Sequence, residues 1–143
     1  MGRKENINNN CSNILIKVQR RIYRLTDREC KGVERMVERI IDGEIMEIVK
    51  KYVEVILANY KVKAIILFGS YAKGTNHEDS DIDIAIITDD IKCNDIFDEQ
   101  LNLKKLRRNI DYRIEPHLIE VADYDNVETP FVEEVINTGI KVA

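Results

Sequence analysis

The spacing of apolar and polar positions changes several times along this chain, and each change predicts an element. Val33, Met36, Val37, Ile40, Ile41, Ile45, Ile48, Val49, Tyr52, Val53, Ile56 and Leu57 recur close to the period of an amphipathic helix with one core-facing stripe. Gly43 interrupts the stripe, so one long helix and two helices meeting at Asp42-Gly43 both satisfy it. Upstream, Ile14, Val18, Ile22 and Leu25 form a shorter stripe that predicts a helix over 14–25, with Thr26 or Asp27 capping the next one. Ala64–Phe68 and Ile82–Thr88 are apolar runs of strand length. Between them, Ser70–Lys73 predicts a short helix and Gly74–Asp79 a polar loop. Asp90–Asn94 reads as a turn, and Asp95–Arg108, with Ile96, Phe97, Leu101, Leu103 and Leu106, as a helix.

Ile110–Ile119 alternates. Ile110, Tyr112 and Ile114 fall on one face and Asp111, Arg113 and Glu115 on the other, which predicts a half-solvated strand. Pro116 restricts that strand to a sheet edge or places the proline near its end. Phe131–Asn137 predicts a last helix closed by Gly139, and Ile140–Val142 a terminal strand. The order α-β-α-β-α-β-α predicts an α/β (α+β) domain, a small sheet flanked by helices. Residues 1–12 are polar, Asn-rich and aperiodic and are expected to be disordered. Residues 13–45 read as an N-terminal helical extension and 46–143 as the main domain. The extension exceeds what the domain needs, so a role in dimerisation or partner docking is expected of it.

Composition narrows the setting. At 143 residues the chain is one domain by length. It holds no apolar run long enough to span a bilayer and no apolar core of a secretory signal near its start. Cys11, Cys30 and Cys93 have neither zinc-ligand spacing nor a disulfide framework, so a cytoplasmic setting is expected. A formal net charge of −4 disfavours a general nucleic-acid binder, although Lys17–Arg24 and Lys104–Arg108 are locally basic.

The chemistry is concentrated in Gly69-Ser70-Tyr71-Ala72-Lys73-Gly74-Thr75 and Ser80-Asp81-Ile82-Asp83-Ile84. The Gly69-Ser70 turn follows an apolar strand. Glycine lets a phosphate approach the backbone, and a helix opening at Ser70 offers free N–H groups and a positive dipole end. The Ser70 hydroxyl and the Lys73 ammonium can add further contacts. On a strand, Asp81 and Asp83 point to one side while Ile82 and Ile84 point into the core. Two such carboxylates suit Mg²⁺, which binds a few carboxylates together with substrate phosphates. A two-metal site calls for a third carboxylate. Asp111 and Glu115 are both available, but they lie four residues apart, roughly 13 Å along an extended chain, so only one can join the site. Ser80 is expected to brace the aspartate loop. His77 and His117 read as loop and strand-end residues, and Arg107 and Arg108 as a solvated helix end favoured by the dipole.

Gly69, Ser70, Gly74, Asp81 and Asp83 match the pattern hG[SG]-x(9–13)-[DE]h[DE]h, and the stretch LFGSYAKGTNHEDSDIDIAI resembles the minimal nucleotidyltransferase branch of the DNA polymerase beta-like nucleotidyltransferase superfamily. The resemblance covers residues 46–120 and implies the polymerase beta-like fold with a small mixed sheet. Arg107-Arg108-Asn109-Ile110-Asp111-Tyr112-Arg113 is similar to the family text that opens the strand of the third carboxylate. The resemblance therefore implies Asp81, Asp83 and Asp111 as ligands of two Mg²⁺, with Asp111 also the general base and Glu115 the alternative. It implies Gly69, Ser70, Lys73 and Ser80 around the triphosphate of ATP or another NTP. The implied reaction moves a nucleoside monophosphate to an acceptor hydroxyl. The implied setting is an antitoxin-like subunit that adenylylates a HEPN-type partner. Larger relatives hold their acceptors with a C-terminal helical domain for which this sequence has no counterpart, so a partner or second copy is expected to supply that half. An aminoglycoside-type nucleotidyltransferase and a non-catalytic nucleotide-binding module are the alternatives.

Overall fold

In the computed structural model, residues 15–18, 21–24 and 41–143 are described. The first described residues, Leu15–Val18 (β1) and Arg21–Arg24 (β2), are strands paired antiparallel, with Val18 opposite Arg21. This corrects the helix expected over 14–25. Apolar residues four apart fit two strand periods as well as one helical turn, so Val18 and Ile22 do not discriminate. The β-branched and aromatic content of LIKV and RIYR favours the strand. The expectations for residues 1–12 and for the stripe before Ile41 lie outside the described residues.

Helix α1 spans Gly43–Asn59, and Asp42 caps it by accepting the Glu44 N–H at 2.8 Å. Of the two arrangements the stripe allowed, the structure has a helix that starts at Gly43. Strand β3 (Ala64–Phe68) leads directly into the one-turn helix α2 (Gly69–Lys73). Strand β4 (Ile82–Ile87), helix α3 (Ile96–Leu106) and strand β5 (Ile114–Ile119) follow. Helices α4 (Val121–Asn126) and α5 (Pro130–Thr138) and the short strand β6 (Ile140–Lys141) complete the domain. The sheet order is β5-β4-β3-β6, with β4 and β5 parallel and the other pairs antiparallel. The mixed sheet flanked by helices is the expected α/β class. Among the described residues no helix is long and apolar enough to cross a membrane.

Two expectations change in this part of the chain. The alternating segment is a strand only from Ile114 onward, whereas residues 107–113 are mainly turns. Ile110 tucks against the core while Tyr112 is 83% exposed, so the regular alternation there was coincidental. Helix α4 was not anticipated, since VADYDN carries no apolar stripe and buries no residue. Pro116 does lie in an edge strand, opposite Ile84.

The two faces of the sheet differ. On one, Ile65, Leu67, Ile82, Ile84, Ile86 and Ile114 are fully buried against Ile45, Val49, Tyr52, Val53 and Ile56 of α1 and Leu103 of α3. On the other, Ala64, Ile66, Ala85, Ile87 and Ile119 pack under Val132 and Val135 of α5. Strand alternation assigns Phe68, Asp83, Glu115 and His117 to this second face. They lie toward the end of the sheet where α2 begins, and there the apolar cover thins.

A polar cluster ties the first layer together. Glu99 is fully buried and accepts hydrogen bonds from Tyr60 Oη and the Lys92 N–H, both at 2.5 Å, and from the Cys93 N–H at 2.8 Å. Asn102 Nδ2 donates to Tyr60 Oη at 2.6 Å. Burial pushes the Glu99 carboxyl up, but the donors Tyr60, Cys93, Lys92 and Asn102 outweigh it and hold it at about 2.

Candidate active site

The turn after β3 brings the first two chemical groups together. Gly69 has φ +72°, in the left-handed region, where glycine carries no steric penalty. A Cβ added there would overlap Asp83 Oδ2. Register explains the proximity, because Phe68 is the antiparallel partner of Asp83. The Gly-Ser turn and the second aspartate, well separated in sequence, are thus in direct contact. Phe68 precedes α2 without a side-chain cap, so the first-turn N–H groups of the helix are left to the solvent or a ligand. Ser70 lies in that first turn, half-buried.

Asp83 is gripped on its other side. Its Oδ1 lies 3.2 Å from His117 Nε2. The His117 ring meets Phe68 edge-on at 5.1 Å and Phe131 at 5.6 Å between centroids. Asp81 is exposed, one period-two step ahead of Asp83, where the Ile82 N–H donates to the Arg113 carbonyl at 2.8 Å. Ser80 is buried, and its Oγ accepts the His77 N–H at 2.8 Å, closing the loop that carries Asp81. Lys73 extends from the end of α2 to Glu134 of α5 at 2.5 Å, with both side chains well exposed.

The two candidates for the third carboxylate have different surroundings. Asp111 sits in the turn before β5, near the end of β4 that carries Asp81. It accepts the Arg113 N–H at 2.8 Å and is held by the Arg113 guanidinium at 3.1 and 2.8 Å. Those Arg113 hydrogen bonds keep its carboxyl below the usual range, despite partial burial. Glu115 is the parallel register partner of Asp83. Lys104 Nζ meets it at 2.5 Å and Arg107 Nη1 at 3.0 Å. Burial raises the Glu115 carboxyl, and the two cations more than reverse the effect. Arg107 therefore faces a carboxylate of its own chain. Arg108 lines an open groove of about 390 Å³ with Lys104, Lys105, Leu101, Arg107 and Tyr112.

The donor set suits a divalent cation. Asp83 is pre-positioned, Asp81 is accessible, and Mg²⁺ needs only one or two carboxylates when substrate phosphates complete its shell. Among the described residues no three His, Cys, Asp or Glu side chains already converge as a metal cluster. The structure thus brings Gly69, Ser70 and Asp83 together with Asp81 alongside, and leaves Asp111 and Glu115 paired to cations. His117 was read from sequence as a strand-end residue. Its period-two spacing from Glu115 was the available signal, but no local pattern gives the register that points it at Asp83.

Comparison with known proteins agrees with this architecture. The family model described as polymerase beta, nucleotidyltransferase, matches residues 44–143. The chain belongs to this nucleotidyltransferase family. Three Methanocaldococcus jannaschii relatives are each named as a proposed protein adenylyltransferase. MJ1379 is 50% identical over 48 residues, 34% of this chain and 48% of its own length. MJ1215 is 54% identical over 44 residues, 31% of this chain and 51% of its own length. The chain thus spans about half the length of these two relatives. MJ0141 is 29% identical over 102 residues, 69% of this chain and 99% of its own length. Among solved structures, a chain from a crystal structure of a toxin-antitoxin with AMP-PNP superposes with a TM-score of 0.50 at 28% identity. That match covers 66% of this chain and 71% of the other. Membership of the family fits both the mixed sheet and the position of the Gly-Ser turn beside the aspartates.

Proposed function

We propose that this protein is a metal-dependent nucleotidyltransferase that moves AMP from ATP to an acceptor hydroxyl on a partner protein. The observation that carries the reading is the contact between Gly69 and Asp83, which puts an open backbone turn against a carboxylate. Few chemistries other than phosphoryl or nucleotidyl transfer call for both at one point. Gly69, Ser70 and the first-turn N–H groups of α2 would receive the triphosphate, with Lys73 contributing charge once it leaves Glu134. Ser80 keeps Asp81 in place. Asp81 and Asp83 would hold Mg²⁺, which when bound neutralises the phosphates and polarises the reacting phosphorus.

Asp111 is the proposed third carboxylate, with Glu115 the alternative. Arg113 keeps Asp111 ionised, the form a cation ligand requires. Asp111 is also the proposed general base for the acceptor hydroxyl. The adenylyltransferase names of the relatives and the nucleotide in the toxin-antitoxin structure support ATP and a protein acceptor. A helical HEPN-type partner is the specific form of that proposal.

The test is label transfer from α-labelled ATP with Mg²⁺ and a co-purified partner. The proposal expects a labelled protein band that falls by at least about a hundredfold in Asp81→Asn and Asp83→Asn. Nucleotide binding without transfer to any acceptor would favour the non-catalytic module. Transfer to an aminoglycoside but to no protein would favour the small-molecule enzyme. Full activity in Asp111→Asn with none in Glu115→Gln would exchange the third carboxylate.

A further inference from the structure

We propose that His117 is a positioning residue for Asp83, fixing the orientation of that carboxylate before any cation or nucleotide arrives. The inference rests on the proposed role of Asp83 as a metal ligand and adds a residue to it. Three observations converge on it. His117 Nε2 lies 3.2 Å from Asp83 Oδ1, within hydrogen-bond reach for a tautomer with its hydrogen on Nε2. The other oxygen, Oδ2, lies over Gly69, where a Cβ would overlap it. One oxygen is therefore occupied by the imidazole, and the oxygen left for a cation is the one beside the phosphate-binding turn. The third observation is the packing of the imidazole. Phe68 and Phe131 contact it at 5.1 and 5.6 Å and contact each other at 5.5 Å between centroids, which limits the rotamers the histidine can adopt.

Strand geometry makes the pair specific. β4 and β5 run parallel with Asp83 opposite Glu115 and Ala85 opposite His117. The small Ala85 side chain leaves the imidazole space to lean back along the strand toward Asp83. Glu115 cannot substitute as a donor, being itself a carboxylate occupied by Lys104 and Arg107. Partners that hydrogen-bond a metal-ligating carboxylate orient it, and their loss typically weakens metal binding by about 10–100-fold.

The experiment uses Mn²⁺ as the probe, counted by the electron paramagnetic resonance signal of the free ion in the presence of a non-hydrolysable ATP analogue. His117→Phe removes the donor and keeps a ring against Phe68 and Phe131. His117→Gln keeps a donor at a comparable reach and removes the ring. The expected result is Mn²⁺ affinity about tenfold weaker in His117→Phe and within about threefold of the parent in His117→Gln, with both melting near the parent. Should His117→Phe not fold, His117→Leu is the second donor-less variant. Parent-like Mn²⁺ affinity in a folded donor-less variant overturns the proposal, as does equal weakening in His117→Gln. Asp83→Asn separates the two levels. If it also binds Mn²⁺ like the parent, the proposed metal site fails together with the inference. If it loses Mn²⁺ while His117→Phe retains it, the inference alone fails.

Discussion

The two faces of the sheet carry neighbouring residues of the same strands, yet they serve opposite ends. Ile82, Ile84 and Ile86 of β4 are completely buried under α1 and α3. Asp83, between two of them, shares its face with Glu115 and His117, outside the apolar cover that Val132 and Val135 give to Ala85 and Ile87. One strand thus supplies stability in one direction and the proposed metal ligand in the other. The closed face contributes on the order of several kcal/mol of apolar burial per strand, while the open-face carboxylates meet polar partners, Asp83 at His117 and Glu115 at Lys104 and Arg107.

The sharpest way to break that division is to alter adjacent residues of β4. Ile84→Ala should destabilise by about 2–5 kcal/mol, the range for a large-to-small change at a fully buried position, visible as a lowered urea midpoint. Asp83→Asn, one residue away, should leave that midpoint near the parent while removing label transfer. A large stability loss in Asp83→Asn would refute the division of labour.

Gly69→Ala tests where the faces meet the turn. The left-handed backbone alone should cost about 1–2 kcal/mol. The new Cβ also has to displace the Asp83 carboxylate, so activity should fall more than stability does. Equal activity at reduced stability would show that the contact is only structural.

Glu99 belongs to the closed side, and its chemistry is correspondingly structural. Glu99→Gln should cost about 1–3 kcal/mol, since one amide cannot accept all the hydrogen bonds the carboxylate accepts. A pH series sharpens this. The Glu99 carboxyl is held at about 2 in the fold, below its ordinary value of 4.5. A lowered folded value means that its stabilisation is complete above the unfolded value. It is lost as pH falls from near 4.5 toward 2. Thermal melts of the parent should drop across that window more steeply than those of Glu99→Gln.

The smallest effect is expected at the Lys73–Glu134 pair. Both side chains are more than two-fifths exposed, so Glu134→Gln should change stability by about 0.5 kcal/mol or less. If Lys73 contacts the triphosphate, the same change should improve the KM for ATP slightly, and an unchanged KM would argue against that contact.

Much of this was written locally in the chain. The β3 and β4 runs, α1, α3 and the last helix follow from apolar runs and apolar periodicity. The Gly69-Ser70 turn and the Asp81/Asp83 pair are visible as text, because each depends on neighbours within a few positions. The paired strands Leu15–Val18 and Arg21–Arg24 were not, since a four-residue apolar spacing satisfies two periods at once. Nor were the turns at 107–113, where an alternation of residue types occurs without an extended backbone. Tertiary structure alone decided that Glu115 lies opposite Asp83, that Lys104 and Arg107 hold Glu115, and that His117 reaches Asp83 Oδ1. Those relations depend on the register of two parallel strands joined through α3. Register is fixed by how the buried isoleucines of both strands pack against the helices, a property of the assembled core rather than of either strand.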